Sequence, residues 1–224
     1  MEAGGGDDSA RAALETLCRH YWYPLYAFVR RRGYDEHQSQ DLTQEFFARL
    51  LASDSLKLAQ PERGRFRTFL LGALKHFLAN DWRDSHRLKR GGGMEFISWD
   101  ELDPERRYAL EPADGASAES LYDRRWAQAV VSNSMARLEA EFRSEGMADR
   151  FNVLKAYLQG DGGAGSYDSA GARLGVSQAA VKSAIFRLRR RYGELIRDEI
   201  AQTVASPAEV DAEIQHLITL LGNP

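Results

Sequence analysis

The sequence predicts an all-α protein, with two small helical domains joined by an acidic linker and the second ending in a helix-turn-helix. Three observations carry this. Apolar residues recur at helical spacing in every periodic segment, and no run alternates as a strand would. From Tyr167 to Arg191 two short periodic segments meet at Gly175-Val176-Ser177. The 224 residues, 43% hydrophobic and 28% charged, have the composition of a globular chain and hold no apolar run long enough to span a membrane. The opening MEAGGGDDSA lacks a basic stretch followed by an apolar one, so no signal peptide is expected and the protein is expected in the cytoplasm. One cysteine, Cys18, excludes an internal disulfide and a multi-cysteine metal site, and is expected inside a helix.

Taken in order, the first helix is expected from about Ala10 to Arg32, with Leu14, Leu17, Tyr21, Leu25, Phe28 and Val29 as its stripe and a kink or break near Tyr21, because Pro24 removes an internal hydrogen bond. Gly33 stops it. Asp35 or Ser39 can cap a second helix running to about Leu51, with Leu42, Phe46, Phe47, Leu50 and Leu51 inward and Asp41, Gln44, Glu45 and Arg49 outward. A loop to Gly64 leads to a third helix, about Phe66 to Arg87, both aromatic and basic. Phe66, Phe69, Phe77 and Trp82 interleave with Arg65, Arg67, Lys75, His76, Arg83, Arg87, Lys89 and Arg90, a pattern that suits single-stranded nucleic acid, although Phe69 and Phe77 are expected in a helical core. Gly91-Gly92-Gly93 closes a domain over residues 1–93. Residues 94–120, with Pro104 and Pro112, form a linker ordered in parts. Helices follow at about Leu121 to Glu145 and Ala148 to Leu158, then the helix-turn-helix, within a domain over 121–204. Pro207 opens a last amphipathic helix in an extension over 205–224, carrying Val210, Ile214, Leu217, Ile218 and Leu221.

Charge is segregated along this frame. Residues 63–90 carry eight basic against two acidic side chains, a net of +6, whereas 95–123 carry two against nine, a net of −7. Residues 167–200 return to +3, with seven basic against four acidic side chains. Two basic blocks flanking an acidic one point to two places for nucleic acid and a connector that mimics or avoids it.

The helix-turn-helix is the sharper of the two. Gly175 can end its first helix in the left-handed conformation, Val176 can plug the angle, and Ser177 can cap the second helix, while Ala170 and Gly171 are small where the helices would cross. Val181, Ile185 and Leu188 point inward on the second helix, Gln178 to about Arg197, leaving Gln178, Ala179, Lys182, Ser183 and Arg187 outward to read duplex DNA. Arg173, Arg189, Arg190 and Arg191 suit phosphates. Other chemistry finds no support. The Gly160 to Ser166 loop has neither the lysine nor the preceding strand of a phosphate-binding loop. His20, His37, His76, His86 and His216 show no metal-ligand spacing and are expected at the surface or at helix ends, and no nucleophile elbow is present. No catalysis, metal or cofactor is expected.

With both basic blocks in place, the chain resembles a bacterial RNA polymerase sigma factor of the extracytoplasmic function subfamily of the sigma-70 family. Asp41-Leu42-Thr43-Gln44-Glu45-Phe46-Phe47-Ala48-Arg49-Leu50 is similar to that family's D-L-x-Q-E-x-F-x-x-L helix, and Gly64-Arg65-Phe66-Arg67-Thr68-Phe69-Leu70 to the start of its promoter-melting helix. Ala170 to Ser177, Val181-Lys182 and Arg187-Leu188-Arg189 are similar to its C-terminal domain. The resemblance implies a sigma factor that binds core RNA polymerase, directs it to promoters and opens DNA. Asp41, Gln44, Glu45 and Arg49 would then dock on the clamp helices of the largest subunit. Arg65, Arg67, Lys75, His76, Asn80, Trp82 and Arg83, with the loop before them, would hold the minus-ten element and the non-template strand. Arg173, Ser177, Gln178, Ala179, Lys182, Ser183, Arg187, Arg189, Arg190 and Arg191 would serve the minus-35 element, the linker would thread toward the active-site channel, and an anti-sigma factor is a further possible partner. Family members often carry Asn and Asp four residues apart in the melting helix, where this chain has His76 and Asn80. The segment beyond about Ala205 lies outside the common pattern, as a regulatory or docking extension. Two other readings compete: a freestanding helix-turn-helix regulator, which requires a palindromic site bound without polymerase, and a scaffold for protein partners, which leaves the arginine-rich helix without a role.

Overall fold

Every regular element is helical among the residues described by the computed structural model, 20–52, 65–85, 103–111, 115–159, 166–204 and 206–222, with backbone alone at 51–52 and 82–85. Cys18, Gly91 to Gly93 and the Gly160 to Gly165 loop lie outside them. The chain divides into two compact units, one built from the segments ending at Ala129 and beginning at Thr203, the other from Val130–Gln202.

In the first unit α1 covers residues 20–31 and passes through Pro24 without a break, so the chain is not split there into two abutting helices. Gly33, at φ 97°, stops it as expected. α2, Glu36–Ala52, starts at Asp35, whose Oδ1 accepts from the Gln38 N–H at 2.8 Å, while Ser39 is buried. α3 is Phe66–Ser85 and α4 is Pro104–Ala109, capped by Asp103. The core joins Leu25, Phe28 and Val29 of α1 to Leu42, Phe46 and Leu50 of α2 and to Leu70, Leu74 and Phe77 of α3. His20 is buried there too, contrary to the surface placement expected for the histidines; it sits on the inward face of α1 beside the Tyr21 ring. α5, Ala118–Ser144, begins in this unit with Leu121, Tyr122 and Trp126 buried.

In the second unit the rest of α5 meets α6, Ala148–Leu154, a 3-10 turn at Lys155–Gln159, α7, Tyr167–Leu174, and α8, Gln178–Ala201. Leu138, Phe151, Leu154, Tyr157, Val181, Ile185 and Leu188 form its core. The last helix, α9, Pro207–Gly222, belongs to the first unit and buries Val210, Glu213 and Leu217.

The turn between α7 and α8 follows from its residues. Ser166 and Ser177 cap the two helices, accepting from the Ser169 and Ala180 N–H groups, and Gly175 ends α7 at φ 65°. A Cβ on Gly171 would lie 2.7 Å from the Val176 carbonyl oxygen, so only glycine lets the turn close on this helix. Gly171→Ala is therefore expected to destabilise the second unit by about 1–3 kcal/mol, read as a lowered thermal midpoint. Val176 does not plug the angle: it is 41% exposed, because Gly171 already brings the backbones together and leaves no cleft for a side chain.

Candidate nucleic-acid interface

α8 sorts its side chains by face. Val181, Ala184, Ile185 and Leu188 are buried, whereas Gln178, Ala179, Lys182, Ser183, Arg187 and Arg190 are exposed. Lys182 lies over the Tyr167 ring at 5.5 Å and Gln178 approaches Asp168 at 3.4 Å, contacts that set the start of the outward face against α7. Ser177 sits at the cap and Arg173 is exposed near the end of α7. Arg190 is exposed and pairs with Glu194 at 3.5 Å.

The other two arginines of the cluster, Arg189 exposed and Arg191 half-exposed, also have partners within the unit. Arg189 donates from Nε and Nη2 to the Tyr157 carbonyl, at 3.1 and 2.6 Å, tying α8 to the 3-10 turn. Arg191 forks onto Glu141 of α5, at 2.9 and 2.6 Å, and pairs with Glu194 at 3.2 Å. These carboxylates hold the Arg191 guanidinium above its ordinary pKa, and Arg191 holds Glu141 below the usual carboxylate range. Periodicity sees three consecutive arginines alike, but a helix turns by 100° per residue, so neighbours in sequence face different surroundings. The same exposed face carries Phe186, 67% exposed, one turn after Lys182 and one turn before Arg190. Sequence reading missed it, although an aromatic at an outward position between two cations was the available signal.

The basic start of α3 is also engaged within the chain. Arg67 is 8% exposed; its Nε donates to Glu213 Oε2 at 2.8 Å, its Nη1 pairs with Asp123, and its guanidinium lies 5.0 Å from the Trp126 ring centroid. Tyr122 donates to the Arg67 carbonyl at 2.9 Å. Burial opposes the charge of Arg67, and the two carboxylates more than offset it, so the guanidinium is held above its ordinary pKa. Arg65 reaches the other oxygen of Glu213 at 2.5 Å, and Lys75 pairs with Glu119 at 2.7 Å. His76 and Asn80 are exposed on α3, while the side chains of Trp82 and Arg83 lie outside the described residues. Phe77 is buried against Phe46 and belongs to the core, while half-buried Phe66 packs edge-on to Tyr21.

His216 of α9 stands against Trp126, with ring centroids 6.4 Å apart, and faces Arg67, Asp123, Glu213 and Arg65. Burial first, then the Arg67 charge, lowers its pKa. A histidine whose folded pKa is depressed contributes stability that is complete above the unfolded value of about 6.5 and lost as the pH falls through the folded one. The thermal midpoint is expected to drop between about pH 7.5 and about pH 5.5, and to drop less in His216→Phe.

α2 presents Asp41 and Arg49 at the surface with Gln44 and Glu45 half-buried, above buried Leu42, Phe46, Phe47 and Leu50. Arg49 pairs with Glu45 at 2.5 Å and lies 5.1 Å from the Phe77 ring centroid, so this surface is fixed by the α2 and α3 core. The described part of the acidic segment is docked rather than free. Glu105 accepts a forked pair from Arg30, at 2.9 and 2.6 Å, and the Tyr26 hydroxyl at 2.6 Å, which together hold its pKa down. Glu111 takes the Tyr23 hydroxyl at 2.7 Å and Arg125. Among the described residues no cluster of His, Cys, Asp or Glu is placed to hold a metal ion, and no helix is long and apolar enough to cross a membrane.

A family model described as sigma-70 region 2 matches residues 17–88, the stretch containing α1, α2 and α3. The chain is 27% identical over 201 residues to the ECF RNA polymerase sigma factor SigE of Mycolicibacterium smegmatis, an alignment covering 90% of this chain and 68% of that protein. No solved structure matches it.

Proposed function

We propose that the chain is a sigma factor of the extracytoplasmic function subfamily of the sigma-70 family, and that its residues divide the work of directing RNA polymerase to promoters as follows. The observation that carries the reading is the outward face of α8, where Lys182, Ser183, Phe186 and Arg187 stand together on a helix whose start is set by the Ser177 cap. In the major groove, lysine and arginine match guanine acceptors and an aromatic edge meets a thymine methyl. We assign Gln178, Ala179 and these residues to the minus-35 element and Arg173 and Arg190 to flanking phosphates. Arg189 and Arg191 act as positioning residues that hold α8 on the 3-10 turn and on α5.

Asp41, Gln44, Glu45 and Arg49 form the surface for the largest-subunit clamp helices, since α2 turns these polar groups out over a packed apolar face. α3 handles the minus-ten element through Lys75, His76, Asn80 and the cations at its start. Partners are core RNA polymerase, promoter DNA and an anti-sigma factor, and the working compartment is the cytoplasm. No catalytic role is assigned to any residue. Run-off transcription with core polymerase on a promoter library tests the reading. Specific initiation that depends on this protein is expected; tight binding to a palindrome by the protein alone, without initiation, would instead mark a freestanding regulator.

A further inference from the structure

α9 buries a stripe of three positions at helical spacing, Val210, Glu213 and Leu217, and the central one is a carboxylate only 1% exposed. The helix carries Glu209, Asp211 and Glu213 and no lysine or arginine. Glu213 spans the two arginines that begin the strand-handling helix, one oxygen to each, at 2.8 Å to Arg67 and 2.5 Å to Arg65. The two contacts differ: the Arg67 contact is an aligned hydrogen bond, whereas Oε1 lies close to Arg65 without hydrogen-bond alignment. Arg65 is also the more exposed arginine.

A carboxylate and a phosphate present the same pair of acceptor oxygens to a guanidinium. A buried ion pair is also a weak fastener, because the cost of desolvating both charges takes back most of their attraction. An apolar residue at the centre of this stripe would hold α9 at least as well. A glutamate there suits a contact that is given up to another anion, since Glu213 regains its hydration once the helix lifts away while the arginines remain paired.

We propose that α9 is an intrachain regulator of strand capture: Glu213 occupies the anion position that Arg65 and Arg67 offer, and the phosphates of the melted non-template strand must displace it. Asp123 stays with Arg67 when α9 leaves, so the guanidinium keeps one partner in either state. The inference rests on the reading of α3 as the helix that handles melted DNA.

The test uses the full-length protein bound to core polymerase and a single-stranded oligonucleotide carrying the non-template strand of a promoter that the holoenzyme transcribes. Glu213→Gln keeps the size and one acceptor while removing the charge. It is expected to bind the oligonucleotide about tenfold more tightly at low salt, with a steeper salt dependence by roughly 0.7 per arginine released. A folded Glu213→Gln variant with unchanged affinity and slope overturns the proposal. A second measurement needs no variant: amide hydrogen exchange of α9 in the wild-type holoenzyme. Loss of protection across residues 207–222 when the oligonucleotide binds is the expected result, and unchanged or increased protection overturns the proposal even if Glu213→Gln does not fold. If wild-type holoenzyme initiates on the duplex promoter yet neither form engages the strand, the assignment of α3 to melted DNA falls and this inference with it.

Discussion

Arg67→Ala is expected to lower the stability of the first unit by about 3–5 kcal/mol, because it leaves Asp123 without this cation and buried Glu213 with Arg65 as its remaining ion-pair partner. For a chain of this length that corresponds to a drop of roughly 6–20 °C in the thermal midpoint. The loss comes from uncompensated charge rather than from missing packing, so replacing the pair by apolar residues of similar volume, Arg67→Met with Glu213→Leu, is expected to recover most of it. Thermal unfolding of the three proteins at neutral pH decides the matter. A single variant that unfolds within a degree of wild type would show that the carboxylates do not depend on Arg67. Promoter opening by Arg67→Ala has to be read against this cost, which a purely DNA-facing arginine would not incur.

The second large effect concerns promoter choice. Lys182→Ala, Phe186→Ala and Arg187→Ala are each expected to relax preference at one position of the minus-35 element by about 1–3 kcal/mol, and the triple variant to lose selective initiation from that element. Arg190→Ala should weaken all sequences alike and reduce the salt slope by about 1, as a phosphate contact does. Arg189→Ala should instead loosen the second unit, since its guanidinium is spent on the Tyr157 carbonyl. Transcription from a library randomised in this element, run alongside thermal unfolding, separates these outcomes. Unaltered preference in the triple variant would remove α8 from promoter reading.

The local frame was legible in the sequence where a single turn of chain decides it. Gly175, Ser177, Gly33 and Asp35 act through their own backbone geometry or through an N–H within three residues, and each is found doing so. Gly171 was legible for the same reason, and Val176 was misjudged because the closeness of the two backbones, not a side chain, fills the angle. The candidate site was legible in outline, since helical phase alone separates Lys182, Ser183 and Arg187 from Val181, Ile185 and Leu188. What sequence could not supply are the long-range partners of cations. Arg67 and Glu213 are 146 positions apart, Arg30 and Glu105 are 75 apart, and Arg191 and Glu141 are 50 apart. A basic residue reads as available for phosphate until the fold reveals which carboxylate reached it first.

The Arg67 and Glu213 pair also has a consequence for biosynthesis. At translation rates of about 5–20 residues per second, the carboxylate that completes the first unit is made roughly 7–30 s after the arginine it joins. Arg65 and Arg67 must therefore wait, still hydrated, until the 146 positions that separate Arg67 from Glu213 have been synthesised. A ribosome that stalls before the Pro207–Gly222 helix yields a product in which this buried site never closes, so a late segment is a condition for finishing an early one.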